Sequence, residues 1–451
     1  MTAATTAGSR CRQPSAHSFM RSTPARLSVV LAVALVTGLG ACRAGEAPGT
    51  RPPTRPTPPA ATLPRAEPVV SVGITVDSVA AVVGATSDFE IRAAGGDVLA
   101  RGRAGEAWTF TSDAQGRISS RGPSGLTQPR ASSLRVVPVA AGGLTIGGRQ
   151  YRGEALIIAR NGGQVSAINV VDLEAYLLGV VPREIGRLPA AQIEALKAQA
   201  VAARTYAIGN MGGRQNRGFD FYATVMDQVY GGIQDEDTVV NRAVRETNGE
   251  ILTHNGTPIL AYYSSTCGGA TAAIEDSWPP RAPLPYLRGV SDRVPGSDQY
   301  YCSTSNRFNW TTRWTREQLL AVLGETLRTH TGGRVTGVRR VEDVRLVGRN
   351  ASDRAIVRLS ADGVQYTLRA DSVRWVLRPQ PGPAILNSSK LAAVEATIQG
   401  GEVRELEIRG GGWGHAIGMC QVGAINRARA GQSHSQILRA YYTGVDLQRL
   451  Y

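Results

Sequence analysis

Apolar positions between residues 172 and 213 recur at intervals of three and four, the spacing of one face of an α-helix. Asp172 is a good N-cap, and Leu173, Tyr176, Leu177 and Val180 follow at helical spacing until Pro182, which lacks the N–H that another turn needs. These residues predict a short helix. A longer one follows Pro189, with Ile193, Leu196, Ala200, Ala203 and Ala207 on one face and the Gly212-Gly213 pair as its stop. Its alanine-rich face suits close packing. The connection between the helices is bounded by Pro182 and Pro189, so Glu184 is expected in a stiff loop carried on rigid elements, a common setting for chemistry.

From residue 69 to about 160 the pattern changes to short β-branched runs (VVSVGITV, FEIRA, ALIIA) separated by Gly clusters and Asp or Ser turns. This predicts a strand-rich module, poor in catalytic residue types and best suited to be a platform. The strand VSAINV, the two helices, a helical stretch around residues 241–248 and the strand PILAYYSS make a mixed α/β core. Beyond Cys302, a segment to about residue 399 has its own helix from Arg316 to Leu327, its own strands VRLVGR and RAIVRLS, and a helical stretch after Asp371. The chain closes with the strand EVRELEIRG, a Gly-rich loop around His415 and two short helices, the second from about Ser433 to Tyr442. The expected fold class is α+β. The domains expected are a strand-rich module over 68–160, a core over 161–301, an inserted α+β segment over 302–400, and a C-terminal part over 401–451 that completes the core.

Length supports this division, because 451 residues exceed what one hydrophobic core normally organises. Lys and Arg total 50 against 36 Asp and Glu, a formal charge of +14, and the only lysines are Lys197 and Lys390. An arginine-rich basic body suits an anionic envelope, and a GC-rich genome gives the same bias. No nucleic-acid partner is expected. Arg21 and Arg26 precede the apolar run from Leu27 to Leu39, and Leu39-Gly40-Ala41-Cys42 then reads as a lipobox. Residues 1–41 are therefore expected to be a lipoprotein signal peptide, and Cys42 the lipid-modified start of the mature chain. The apolar run is too short to span a bilayer well. Residues 42–67, rich in Pro, Ala and Thr, cannot bury a core and are expected to form an extended tether. The expected address is the cell envelope, on a membrane through the N-terminal lipid, facing the periplasm or cell wall. Cys11 and Cys42 set aside, Cys267, Cys302 and Cys420 remain, and in an exported protein two of them are candidates for a bridge. Sequence does not say which two. The pairing taken here is Cys267 with Cys302, both in the exported core, across a loop that would otherwise be free.

The segments DLEAYLLGVVPREI and EALKAQAVAARTYA resemble the paired signature of the SpoIID/LytB family of peptidoglycan-acting proteins, which includes a sporulation lytic transglycosylase and a non-catalytic amidase enhancer. The similarity resumes in order at DQVYGG (227–232), AYYSSTCGGAT (261–271), PYLRGVSD (285–292) and GGGWGHAIGMCQVGA (410–424). It implies a SpoIID-type core and places Glu184 at the family's catalytic glutamate. A glycosidic oxygen needs a proton to leave, which a carboxylic acid with a raised pKa supplies, and Val180, Val181 and Ile185 give Glu184 an apolar setting. Arg183 opposes this if it turns inward. A hydrolase needs a second carboxylate. A lytic transglycosylase closes the muramic acid's own C6 hydroxyl onto C1, so one acid/base residue suffices. Glu174 and Glu194 read as helix-face residues.

The resemblance also implies substrate contacts. His415 matches the family's Gly-His element, and Ala416 departs from the Gly usual after it, which argues against an unusual backbone angle there. Tyr262, Ser264, Ser265, Thr266, Trp413 and Gln421 are the other candidates to line a glycan groove, with Trp278 as a further stacking aromatic. Some relatives carry a zinc-binding His/Cys cluster near STCGG. Ser264 stands where those tend to have His, so no metal and no cofactor are expected. A cluster of Cys267, Cys302, Cys420 and His415 is the remaining metal alternative, and a Cys267–His415 thiol dyad is another reading. The function implied is an envelope-anchored lytic transglycosylase cleaving the MurNAc-GlcNAc bond to give 1,6-anhydro ends; the alternative is a non-catalytic glycan-binding factor or amidase enhancer. The partners implied are peptidoglycan glycan strands, the membrane and a cell-wall amidase.

Overall fold

A computed structural model describes residues 66–279 and 281–451. The lipobox, Cys42 and the tether up to residue 65 lie outside the described residues. The fold is α+β. Residues 69–172 supply most of two sheets. One has seven strands, in the order Phe221–Tyr222, Val69–Ser78, Gln164–Asp172, Glu154–Arg160, Ser133–Pro138, Phe89–Ala93 and Val98–Gly102. The other has six, in the order Arg149–Tyr151, Leu144–Ile146, Ala81–Ala85, Ala107–Ser112, Ile118–Gly122 and Gly125–Ala131. Period-two alternation decides which face is buried: in Ala107–Ser112, Trp108 and Phe110 are inside while Ala107, Thr109 and Thr111 are exposed.

The strand Gln164–Asp172 runs straight into helix α1, Leu173–Glu184, and helix α2, Ile193–Asn210, follows a 3₁₀ turn at Ala190–Gln192. Asp172 stands at the N-cap, but its side chain makes no capping bond; the carboxylate of Glu67 takes the Glu174 N–H instead, at 2.7 Å. Helix α2 is buried from Ala195 through Ala207 except for partly covered Lys197, so its alanines let neighbouring elements approach on every side. Within this buried stretch Arg204 is fully enclosed and grips Glu174 with two bonds of 2.7 Å, one from Nε and one from Nη2. The expected helix around 241–248 is found as Thr238–Glu246, held by the Asp237 carboxylate on the N–H groups of Val239 and Val240. The strand expected over PILAYYSS is reduced to Thr257–Pro258 and Tyr263–Ser264, because Tyr262 turns its N–H onto the Leu260 carbonyl at 2.9 Å.

A second hydrophobic core is built by residues 310–408. It holds the helix Arg316–His330 with a Thr315/Gln318 capping box, the sheet of Val341–Arg349, Ala355–Ala361 and Val364–Arg369, and the short helix Asp371–Val376. The strand Glu402–Gly410, expected to complete the first core, pairs with Leu391–Gln399 and Trp310–Thr315 and buries Val403, Leu406 and Ile408 in the second. The chain returns to the first core from Ala416 and Ile417 onward, through Met419–Cys420 and the helices Gln421–Arg429 and His434–Tyr441.

Glu174 also accepts from the Gly249 N–H and the Tyr451 hydroxyl, so the Glu174–Arg204 pair ties α1 to α2 and to the last residue. Glu174→Ala leaves the buried guanidinium facing only backbone carbonyls. The expected cost is about 3–5 kcal/mol, measured by denaturant unfolding; a loss under about 1 kcal/mol contradicts this role.

Candidate functional site

Glu184 is the last residue of α1, not part of the connection after it. Pro182 lies inside the helix, and the Ile185 N–H closes the final turn on the Val181 carbonyl at 3.1 Å. A proline costs the bond to the carbonyl four residues back, but the last turn carries on because its other bonds stand. The stretch 227–232 lies along α1. Gly231 donates to the Gly179 carbonyl at 3.1 Å, and a Cβ on Gly179 would stand 2.7 Å from the Tyr230 ring, so only glycine lets this loop so close.

That approach sets the carboxyl. The Val229 N–H donates to Glu184 Oε1 at 2.7 Å. Behind it Gln228 is fully buried, its Nε2 donating to the Tyr263 hydroxyl at 2.9 Å and its Oε1 accepting from the Tyr176 hydroxyl at 3.3 Å. Glu184 keeps a partly exposed side chain, yet protein packs densely round its carboxyl, and this burial pushes its pKa up to about 7 against the opposing Val229 N–H and Arg183 charge. Arg183 turns outward to Asp235, 3.7 Å away. The Tyr176 and Tyr263 phenols are held well above their ordinary range, first by burial and then by the Glu184 charge. Asp227, two residues from Val229, is committed to Arg214 at 3.1 Å and to the Tyr222 N–H at 2.9 Å.

Tyr263–Ser264 pairs in parallel with Met419–Cys420, laying residues 262–266 against the Gly-rich loop. Thr266 and Trp413 exchange backbone bonds of 3.1 and 2.7 Å, and a Cβ on Gly414 would stand 2.8 Å from that of Ser264. The glycines thus serve the approach of one loop to another. Ala416, contrary to expectation, does adopt a left-handed angle, φ 62°, and is buried. Tyr262, Ser264, Ser265, Thr266, Trp413 and His415 are brought into one layer, joined to the Glu184 cluster through Tyr263. Several have partners within the chain: the Thr266 hydroxyl meets Ser305 at 3.0 Å, the Arg307 guanidinium covers the Trp413 ring, and Gln421 donates to Gln199 of α2 at 3.2 Å. Ser264 Oγ is buried with no hydrogen bond among the described residues. Surface hollows of about 400 Å³ are lined by residues 293–298 and by residues of 309–311, 392 and 409–410; Glu184 lines neither.

His415 is enclosed by Trp278, ring centres 4.8 Å apart, and by Tyr262 at 6.2 Å. Its Nδ1 accepts the Ile417 N–H at 3.0 Å, which assigns the proton to Nε2, and burial lowers its pKa to about 4. A neutral ring with Nδ1 occupied locks this loop.

The bridge taken between Cys267 and Cys302 is not formed: the sulfurs are 3.5 Å apart and all three core cysteines are free thiols. Cys420 joins them, its Sγ accepting the Cys267 N–H at 3.2 Å, and Asp292 Oδ2 lies 3.7 Å from Cys267 Sγ. The four ligand atoms lie within 4.8 Å of one another, all in buried residues. His415 is not among them, so neither the His-containing cluster nor the Cys267–His415 dyad is assembled. Burial pushes the Cys267 and Cys420 thiols up, and the bonds from those two thiols draw Cys302 down. Asp292 was embedded in PYLRGVSD with no metal-like spacing to mark it.

A family model described as "Stage II sporulation protein" (SpoIID) matches residues 161–254, which hold α1, α2 and Val229, and a "Domain of unknown function (DUF8618)" matches 290–418. An uncharacterised protein of Brachyspira hyodysenteriae is 31% identical over 307 residues, covering 68% of this chain and 74% of that protein. The amidase enhancer of Bacillus subtilis is 30% identical over 309 residues, 60% of this chain but only 40% of that protein. Stage II sporulation protein D of Bacillus amyloliquefaciens is 28% identical over 302 residues, 62% of this chain and 75% of that protein. The chain belongs to the SpoIID/LytB family.

His415, partly exposed but with its ring packed between Trp278 and Tyr262, sets a pH dependence. With a folded pKa near 4, below the ordinary 6.5, the unfolded chain takes up a proton that the folded chain refuses between those values, so the ring's contribution is present above 6.5 and lost as pH falls toward 4. Nitrogen-15 NMR is expected to show a neutral Nε2–H tautomer throughout pH 5–8. Titration of His415 near 6.5 contradicts the assignment.

Proposed function

We propose that this protein acts on the cell wall as an envelope-anchored peptidoglycan lytic transglycosylase, with Glu184 as the single acid/base and Cys42 as the lipid anchor. One observation carries the reading: a carboxyl of pKa about 7 at the end of a rigid helix, with one oxygen fixed by Val229 and the other free of hydrogen bonds among the described residues. Such a group is protonated for a useful fraction of molecules at neutral pH and can return as a base. It gives its proton to the oxygen between MurNAc and GlcNAc as the C1–O4 bond breaks. The C6 hydroxyl of the muramic acid then bonds to C1, and the Glu184 carboxylate takes that hydroxyl's proton. No water is consumed and the acid is restored. The commitment of Asp227 to Arg214 fits a mechanism that needs no second carboxylate. Tyr262, Ser265 and the other residues of the facing layer are the proposed glycan contacts. A non-catalytic amidase enhancer is the second reading, favoured by the similarity to the Bacillus subtilis protein of that name.

Digestion of intact and of peptide-stripped glycan, read by mass spectrometry for 1,6-anhydro ends, tests this. Glu184→Gln is expected to lower product formation by about 100-fold or more. It should still fold: the raised pKa means that Glu184's contribution to stability is full below 4.5 and is lost as pH rises through 7, so the glutamine variant should equal or exceed the parent in stability at pH 8. Anhydro ends at the parental rate from the variant refute Glu184 as the acid. None from the parent on either glycan, together with stimulation of a cell-wall amidase, selects the second reading.

A further inference from the structure

We propose that Cys267, Cys302, Cys420 and Asp292 form a closed tetrahedral site for Zn²⁺ that fastens together the segments carrying the Gly-rich loop. The four come from distant parts of the chain: Cys267 follows the strand Tyr263–Ser264, Asp292 and Cys302 bracket the strap leading to the second core, and Cys420 immediately precedes the helix Gln421–Arg429.

The spacing suits a metal of that size. Zinc–sulfur bonds of about 2.3 Å at tetrahedral angles put sulfurs roughly 3.8 Å apart, and a sulfur and an oxygen roughly 3.5 Å apart. The Cys267–Cys302 separation is 3.5 Å and the Cys267–Asp292 separation 3.7 Å. A disulfide satisfies fewer of these groups. Joining any two sulfurs would leave a third thiol and a carboxylate buried side by side.

The surroundings favour thiolates. The Cys267 N–H donates to Cys420 Sγ at 3.2 Å and the Gly269 N–H to Cys302 Sγ at 3.3 Å, and left-handed angles at Gly268 and Gly269 give the turn that aims these amides. Asp292 is oriented from outside. Its Oδ1 accepts from the Tyr441 hydroxyl at 2.7 Å and from Arg427 at 3.3 Å, which leaves Oδ2 facing the sulfurs and the Cys302 N–H. This is how outer hydrogen bonds fix a metal-binding carboxylate.

Charge agrees. A divalent cation on three thiolates and a carboxylate leaves about two excess negative charges. Arg427 answers part of that. Arg354 is buried, donates to the Ala270 carbonyl three residues past Cys267, and makes no ion pair among the described residues; Lys390 reaches the Gly268 carbonyl at 2.7 Å. A buried guanidinium without a paired carboxylate is costly unless an anionic centre lies near it. Thiolates select a soft cation, tetrahedral geometry selects zinc, and four protein ligands leave no open position, so the site is structural and not catalytic.

The test uses the full chain purified under non-reducing conditions. Elemental analysis is expected to find one zinc per chain, and X-ray absorption at the zinc edge to find three sulfurs at about 2.3 Å and one oxygen at about 2.0 Å. Tyr441→Phe, which removes the shorter of the two bonds on Asp292 Oδ1 together with the acceptor of Arg427 Nε, should weaken zinc binding by about tenfold or more in competition with a chelator. Cys420→Ser should lose the three-sulfur shell; if that variant does not fold, the parent's absorption spectrum still decides. Zinc-free protein with the three thiols free or with a Cys267–Cys302 bridge overturns the proposal, as does bound zinc with only nitrogen and oxygen neighbours.

Discussion

The backbone amide of Val229, 2.7 Å from Glu184 Oε1, depends on how closely the 227–232 loop lies on α1, and much of the molecule serves that approach. It requires Gly179, because a side chain there would meet Tyr230. Tyr230 in turn is wedged between Tyr151 and Tyr176, with its hydroxyl on Asn169 at 2.9 Å, so the strand Gln164–Asp172 and the loop are fixed together. The outcome is a carboxyl held in one position by a neutral donor. A guanidinium in the same place would have kept it ionised; Arg183 instead faces solvent. Burial therefore wins over the hydrogen bond and the nearby charge, and the pKa rises.

The facing layer is ordered by different means. Its loops contact through glycines and backbone bonds, and the neutral His415 takes the Ile417 N–H inside the turn. The cluster of three cysteines and Asp292 lies where the first core meets the strap to the second. A zinc ion there would make the layer's geometry depend on covalent-strength ties and not on loop packing alone. The left-handed Ala416 is a local cost that such ties can sustain.

Much of this was legible in the sequence, for local reasons. The spacing of apolar residues located both α1 and α2, and Gly212-Gly213 ended the second as expected. The strand Glu402–Gly410 was also expected, but its apolar residues look the same whichever sheet it joins, so its place in the second core could not be read. Pro182 suggested a break because the rule for proline is local, whereas the last turn is closed beyond it by the Ile185 N–H on the Val181 carbonyl. The groups that tune Glu184 were less accessible: Val229 lies 45 residues away, and Gln228 has no signature of its own. Ala416 looked like evidence against a strained angle, since sequence cannot weigh a local penalty against the loop contacts that impose it. The cysteines were visible, but Asp292 and the inclusion of Cys420 are products of topology, and without them a two-cysteine bridge was the natural reading.

Packing, not an ion pair, sets the proton affinity of Glu184. Carboxyl carbon-13 NMR of glutamate-labelled protein across pH 3–9, with the Glu184 resonance assigned by its absence in Glu184→Gln, measures that affinity. A titration midpoint of about 7 is predicted. A midpoint at or below the ordinary 4.5 would show that the carboxyl is ionised at neutral pH and would contradict its role as the proton donor.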